Sequence, residues 1–203
     1  MKGEYRDNNF LMNITMPQIT GLNLLRQIEA KNTNSNKRIT MEDIHSCAKF
    51  NKLDELVRAI REGVNINEKD EFGATALHYA IAYKNEKAIS ILLANNPDLT
   101  LQNKDGKTVL HSAIEYKLLN VAEELLKMQP LLVSVPDNFG NEPLWTACFN
   151  AHRTYDFVVI LLKYKANVTA KNNAGLCPID IAERMGDSDL LNLLRANYNH
   201  EVV

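Results

Sequence analysis

The stretch EFGATALHYAIAYKNEKAISILL, residues 71–93, combines a glycine turn with two successive apolar helix patterns. The same arrangement returns three times, and each copy opens on a glycine 33, 34 or 35 residues after the previous one: Gly73, Gly106, Gly140 and Gly175. A fixed period of this length indicates units that cannot bury their apolar faces alone and must stack on their neighbours. The chain is therefore predicted to form one stack of helical repeats.

Short motifs define the boundaries of each unit. The first helices open with TALH at 75–78, TVLH at 108–111, EPLW at 142–145 and CPID at 177–180. His45 lies 33 residues before His78 and marks an earlier copy, which starts at a predicted N-cap, Thr40. The predicted repeats are 40–71, 72–105, 106–139, 140–174 and 175–200, and together they make up one domain, 40–203.

An Asp or Asn precedes each repeat glycine by three positions: Asp70, Asn103, Asp137 and Asn172. Asx side chains accept hydrogen bonds from nearby amides, and glycine tolerates positive φ, so the pair predicts a tight turn. In the fourth repeat, the span 149–156 between the two helices is two residues longer than its counterpart, 82–87. Extra residues in repeat proteins go to loops, often on the binding face.

These motifs resemble those of the ankyrin repeat family. The resemblance implies an all-α solenoid of about five helix-turn-helix repeats, with β-hairpin fingers projecting on one side. It also implies a concave surface, built from finger tips and first-helix faces, that binds other proteins. The sequence departs from the family pattern at Lys84, Lys117 and Arg153, which stand where the family has glycine between the helices.

Residues 1–39 do not match the repeat and are predicted to be an N-terminal helical extension. Leu22, Leu25 and Ile28 recur at helical spacing within residues 22–30. This helix is expected to cover the apolar side of the first repeat, because the end of a stack otherwise leaves core surface in water. A mobile arm that grips a partner is the alternative.

Composition excludes several classes of function. The chain carries 23 Lys and Arg against 25 Asp and Glu, so no net charge attracts nucleic acid or an anionic membrane. No apolar run approaches the length of a membrane span, and no signal-peptide pattern opens the sequence. We expect a cytoplasmic protein, monomeric on its own, whose three cysteines are reduced thiols.

No catalytic or metal site is predicted. His45, His78 and His111 fall at one equivalent position in successive repeats, where the resemblance implies hydrogen bonding within and between repeats rather than zinc binding. His45 and Cys47 lie two residues apart on a helix and therefore point to different faces. No phosphate-binding glycine loop, HExxH or GxSxG motif is present. We expect neither an enzyme nor a bound cofactor.

Aromatic residues and their polar neighbours are the candidate partner-binding set. Tyr and Trp side chains bury large rigid areas and keep a hydrogen-bonding tip, which makes them frequent at protein-binding hot spots. Packing between repeats is the alternative role for several of them. The candidates are Phe72, Tyr79, Tyr83, Lys104, Asp105, Tyr116, Phe139, Trp145, Phe149, His152 and Arg153.

A narrower resemblance covers residues 140–194. The PLW-x-A-x-F-N wording, the lengthened turn and the following N-N-A-G are similar to small free-standing bacterial ankyrin proteins, many of which are thought to be immunity proteins. The resemblance implies an antitoxin that neutralises a cognate bacterial toxin by binding it. A signalling adaptor, or an effector that recruits a host protein, is the alternative.

Overall fold

The computed structural model describes residues 41–198, which form ten α-helices and one 3-10 helix without any β-strand. The predicted extension over residues 1–39, its helix at 22–30 and the predicted N-cap Thr40 lie outside the described residues. The α-helices are α1 Met41–Lys49, α2 Leu53–Arg61, α3 Ala76–Ala82, α4 Glu86–Leu93, α5 Val109–Glu115, α6 Leu119–Met128, α7 Pro143–Phe149, α8 Asp156–Lys163, α9 Pro178–Met185 and α10 Ser188–Tyr198.

Successive helices pack as antiparallel pairs, and the pairs stack in chain order. Each first helix contacts the next one along the series α1, α3, α5, α7 and α9. Among the second helices, α2 contacts α4 and α6 contacts α8. The described part of the chain is thus a two-layered stack of helix pairs, as the sequence predicts. The all-α class is confirmed.

Small residues let the first helices approach one another. Ala80, Ala113, Ala147 and Ala182 occupy one equivalent position in α3, α5, α7 and α9, and all four are buried. The second helices fill the space behind them with aliphatic side chains such as Leu92. Close packing of this kind places neighbouring helix axes about 8–10 Å apart.

The projecting turns, here called fingers, are Asx turns rather than strands. Asp70 Oδ1 accepts hydrogen bonds from the N–H groups of Phe72 and Ala74, at 2.9 and 2.8 Å. The other three Asx residues make the same pair of bonds. The Asx-glycine turns are confirmed, whereas the β-hairpin fingers are not.

Backbone hydrogen bonds join each finger to the next. The N–H of Lys104 donates to the Phe72 carbonyl at 2.9 Å, and the N–H of Asn173 donates to the Phe139 carbonyl at 2.9 Å. The Asn138 side chain adds a 2.6 Å bond to the Lys104 carbonyl. One bond at each step does not make a ladder, which is why no strand is present in residues 41–198.

Two connections differ from the common pattern. After α6 the chain forms a 3-10 helix, Pro130–Ser134, which buries Leu132 and Val133. The sequence indicates only one extra residue in this connection and does not predict the helix. In the fourth repeat, residues 150–155 connect α7 to α8, whereas residues 83–85 connect α3 to α4.

Candidate protein-binding surface

Two histidines form hydrogen bonds that join the second and third repeats to the repeats that follow them. The Thr75 N–H donates to His78 Nδ1 at 3.2 Å, so the ring proton lies on Nε2, which donates to the Lys107 carbonyl at 3.2 Å. His111 repeats this arrangement with Thr108 and the Asn141 carbonyl. These histidines have the structural role that the repeat pattern predicts.

In the fourth repeat, Glu142 and Trp145 stand at the positions of this threonine and histidine. Neither side chain forms the capping bonds, and two buried polar atoms, Glu142 Oε2 and Trp145 Nε1, have no hydrogen-bond partner. Burial raises the pKa of the Glu142 carboxyl. Meanwhile the Trp145 indole stacks on the exposed Phe149 ring, with centroids 5.4 Å apart. This repeat therefore lacks the capping bonds of its neighbours, and it exposes the Phe149 ring stacked on a half-buried Trp145.

We expect the double substitution Glu142→Thr/Trp145→His to stabilise the protein by about 1–2 kcal/mol, because it restores the capping pair and removes two unsatisfied buried groups. The free energy of unfolding in urea measures the change. Phe149→Ala serves as the control, since it removes the ring stack but leaves both unsatisfied atoms in place. A double variant that is no more stable than the unsubstituted protein would contradict this account of the fourth repeat.

The candidate aromatics differ in exposure. Phe72 and Phe139 are 58% and 64% exposed on their fingers. Tyr83 and Tyr116, which directly follow α3 and α5, and Phe149, which ends α7, are exposed as well. These five side chains offer apolar area to solvent at separate positions along the stack. Aromatic side chains such as these are enriched at protein interfaces.

Tyr79 is the candidate most engaged in the protein's own structure. Its hydroxyl donates to Asp70 Oδ2 at 2.6 Å, and its ring meets the His45 ring edge-on, with centroids 5.9 Å apart. Burial, followed by this bond to the carboxylate, raises the pKa of Tyr79 to about 12. The contacts show that Tyr79 links the first two repeats, which is the packing role that the sequence leaves open.

The polar candidates lie at the two ends of the repeat. Lys104 and Asp105 form an exposed finger tip, while His152 and Arg153 lie in the long turn with φ of 43° and 67°. Arg153 lies close enough to Asp187 to help lower the pKa of that carboxyl, which depends first on its bond from the Leu190 N–H. The predicted set is thus spread along the stack rather than gathered into one cluster.

Phe50 and Lys49 are surface residues that the sequence analysis does not select. The Lys49 ammonium lies 5.3 Å from the ring centroids of both Phe50 and Tyr83, a cation-π geometry. Phe50 is 59% exposed. The signal was available, because Phe50 precedes Tyr83 by one repeat period of 33 residues. Lys49 and Phe50 line a cavity of about 500 Å³ that reaches the finger residue Phe72.

Titratable groups do not converge on a reactive site in the part of the chain that the structure describes. Within residues 41–198, no group of three His, Cys, Asp or Glu side chains could hold a metal ion. Cys47, Cys148 and Cys177 are all buried, and burial raises the pKa of the Cys148 thiol to about 12. A thiol with such a pKa is a packing residue rather than a nucleophile.

Comparison with known proteins identifies the repeats. A family model described as ankyrin repeats in three copies matches residues 44–132, and a model of a single ankyrin repeat matches residues 139–173. The chain belongs to the ankyrin repeat family. The family models leave the last helix pair, α9 and α10, unmatched.

Several curated relatives contain similar ankyrin repeats. The chain is 30% identical to mouse Rabankyrin-5 over 149 residues, which are 71% of this chain and 13% of that protein. It is 29% identical to Neurogenic locus notch homolog protein 1 of Xenopus tropicalis over 141 residues, 68% of this chain and 5% of that protein. The chain thus spans only a small fraction of the relatives it matches.

Ankyrin repeats are protein–protein interaction modules, and they are generally non-catalytic binding scaffolds. None of the helices between residues 41 and 198 is long and apolar enough to cross a membrane.

Proposed function

We propose that this ankyrin protein is an immunity protein that binds and neutralises a cognate bacterial toxin. The observation that carries the proposal is the fourth repeat, where the half-buried Trp145 stacks on the exposed Phe149 ring and the usual capping bonds are absent. Proteins often keep destabilising groups where function needs them. The resemblance of residues 140–194 to bacterial immunity proteins supports the same assignment.

The proposed binding surface runs over the fingers and first helices of the third and fourth repeats. Phe139 projects from one finger, and Trp145 and Phe149 lie on the helix that follows it. The long turn at 150–155 adds His152 and Arg153 beyond the end of that helix. Aromatic and Arg side chains are the residue types that dominate binding energy at protein interfaces. In this proposal the protein acts in the cytoplasm of the producing cell, as a monomer until its partner binds.

A second candidate is an adaptor or a host-directed effector whose repeats recruit a cellular protein. The similarity to repeat segments of much longer proteins, Rabankyrin-5 among them, favours it. An adaptor is expected to bind several partners with micromolar affinity, whereas an antitoxin is expected to bind one partner with nanomolar affinity or tighter.

A growth assay tests the immunity role. Each protein captured by the chain is expressed alone and together with the chain in a bacterial host. One captured protein is expected to stop growth alone and to be harmless when co-expressed. A Phe139→Ala/Trp145→Ala variant should fail to protect, while Lys165→Gly, at the end of α8, should protect fully. If no captured protein impairs growth alone, the immunity proposal is wrong and the adaptor is favoured.

A further inference from the structure

Phe50, Tyr83 and Tyr116 occupy one equivalent position, immediately after the last residue of α1, α3 and α5, and all three are exposed. The three helices pack consecutively against one another. Their rings are therefore spaced by the distance between packed helices, roughly 8–10 Å. We call this set the aromatic row. It lies at the end of the first helices that is opposite the fingers.

Lysines accompany the row. Lys84 and Lys117 directly follow Tyr83 and Tyr116, and Lys49 directly precedes Phe50. Lys84 and Lys117 are exposed and form no ion pair with any residue of the described chain. The neighbouring carboxylate Glu115 is occupied, because it accepts a 2.5 Å bond from Lys107. The row thus combines apolar rings with two lysines that form no ion pair within residues 41–198.

Backbone strain marks the same positions. Lys84 and Lys117 have φ of 55° and 61°, in the left-handed region that favours glycine. In the last repeat, the equivalent residue is Gly186, with φ of 64°. Glycine would adopt this turn at lower cost, so the two lysines are held in an unfavourable conformation. What lysine supplies at positions 84 and 117, and glycine would not, is a charged side chain.

The row is confined to the first three repeats. Asn150 stands at the equivalent position in the fourth repeat, so the series of rings ends there. Arg153, in the corresponding turn of the fourth repeat, lies near Asp187. Lys84 and Lys117 therefore differ from other exposed lysines of residues 41–198, such as Lys104 and Lys165, in lying directly beside an exposed ring of the row.

We propose that the aromatic row and its lysines dock an acidic segment of a protein partner, an inference that rests on the proposed protein-binding function. Carboxylates of the segment meet Lys84 and Lys117, and its large apolar side chains pack between the rings. The cavity of about 500 Å³ beside Phe50 can receive one such side chain between the Phe50, Phe72 and Tyr79 rings. Its charged lining is mixed, with Lys49 and Lys69 beside Asp70 and Glu71. Charge complementarity would set the partner's orientation and association rate, and the aromatic contacts would supply the affinity.

Selection from a phage-displayed library of random dodecapeptides tests the proposal. The protein is expected to enrich peptides that are net acidic and carry at least one large apolar residue. Binding of the best peptide, followed by fluorescence polarisation, should weaken when the salt concentration rises. Enrichment of neutral or basic peptides, or no enrichment, overturns the proposal. Tighter binding of an oligothymidylate of equal charge also overturns it and indicates nucleic acid instead.

Matched variants separate docking from folding. Lys84→Gly/Lys117→Gly should weaken peptide binding at least tenfold while raising the melting temperature by about 2–4 °C for each site. Lys165→Gly, a lysine with φ of 61° at the end of α8, should be stabilised but bind normally. If the lysine-to-glycine pair binds the peptide normally, the row proposal is overturned. If a protein captured from lysate binds the Lys84→Gly/Lys117→Gly variant with the same affinity as the unsubstituted chain, the proposed protein-binding function stands. Only the proposal for the aromatic row is then overturned.

Discussion

Gly106→Ala is expected to destabilise the protein by about 3 kcal/mol, the largest effect of any methyl-sized change on the fingers. Gly106 has φ of 76°, and a Cβ added to it would lie within 3.0 Å of the Asn138 backbone nitrogen. That nitrogen is fixed, because it donates to the Asp105 carbonyl at 3.0 Å. The added methyl group must therefore separate two stacked fingers.

Gly175→Ala is the matched control for Gly106→Ala. Gly175 has nearly the same φ, 77°, but a Cβ there meets nothing within 4 Å. Only the left-handed backbone is penalised, so we expect a loss of about 1 kcal/mol. Urea unfolding followed by circular dichroism measures both variants. Equal losses at the two glycines would show that finger stacking contributes little to stability.

Acid is expected to destabilise the protein by about 2.5 kcal/mol between pH 7.5 and pH 4.5 through His78 alone. Burial lowers the pKa of His78 from 6.5 to about 4. The folded state therefore favours the neutral His78 ring. As the pH falls, the unfolded chain takes up a proton at this histidine before the folded protein does. The stability contributed by the neutral ring is complete above pH 6.5 and is lost as the pH falls towards 4. Burial lowers the pKa of His111 in the same direction.

The slope of unfolding free energy against pH tests this expectation. A His78→Gln/His111→Gln variant should lose much of the slope between pH 7.5 and pH 4.5, although it is less stable at neutral pH. The comparison within one pH window isolates the histidines, since the carboxylates with lowered pKa titrate mainly below it. An unchanged slope in the variant would show that other groups cause the acid sensitivity.

The repeat architecture could be predicted from sequence because each signal has a local physical cause. The Asp70 side chain and Gly73 fix one finger through bonds two and four residues apart, which sequence spacing reveals directly. The 3-10 helix Pro130–Ser134 could not be predicted, because it depends on the burial of Leu132 and Val133 against neighbouring helices. Strands at the fingers were expected from the family resemblance, yet single hydrogen bonds between fingers replace the ladder.

The binding surface was less predictable than the fold. Aromatic residue type and repeat position identify Tyr83 and Tyr116 as exposed, but the same reasoning also selects Tyr79, which is engaged with Asp70. The sequence alone does not reveal that a carboxylate of the preceding finger accepts a hydrogen bond from the Tyr79 hydroxyl and holds this ring against the protein. Phe50 is not among the predicted binding residues, although the 33-residue period marks it as clearly as it marks His45.

The central claim is that exposed aromatics on the fingers and first helices bind a protein partner. The most direct test is an affinity pull-down of the tagged chain from its native lysate, quantified by mass spectrometry beside Phe139→Ala/Trp145→Ala and the surface control Lys165→Gly. We expect one dominant stoichiometric partner that the aromatic variant loses and the control retains. A partner captured equally by all three proteins, or no partner where a toxin is expressed, would contradict the account.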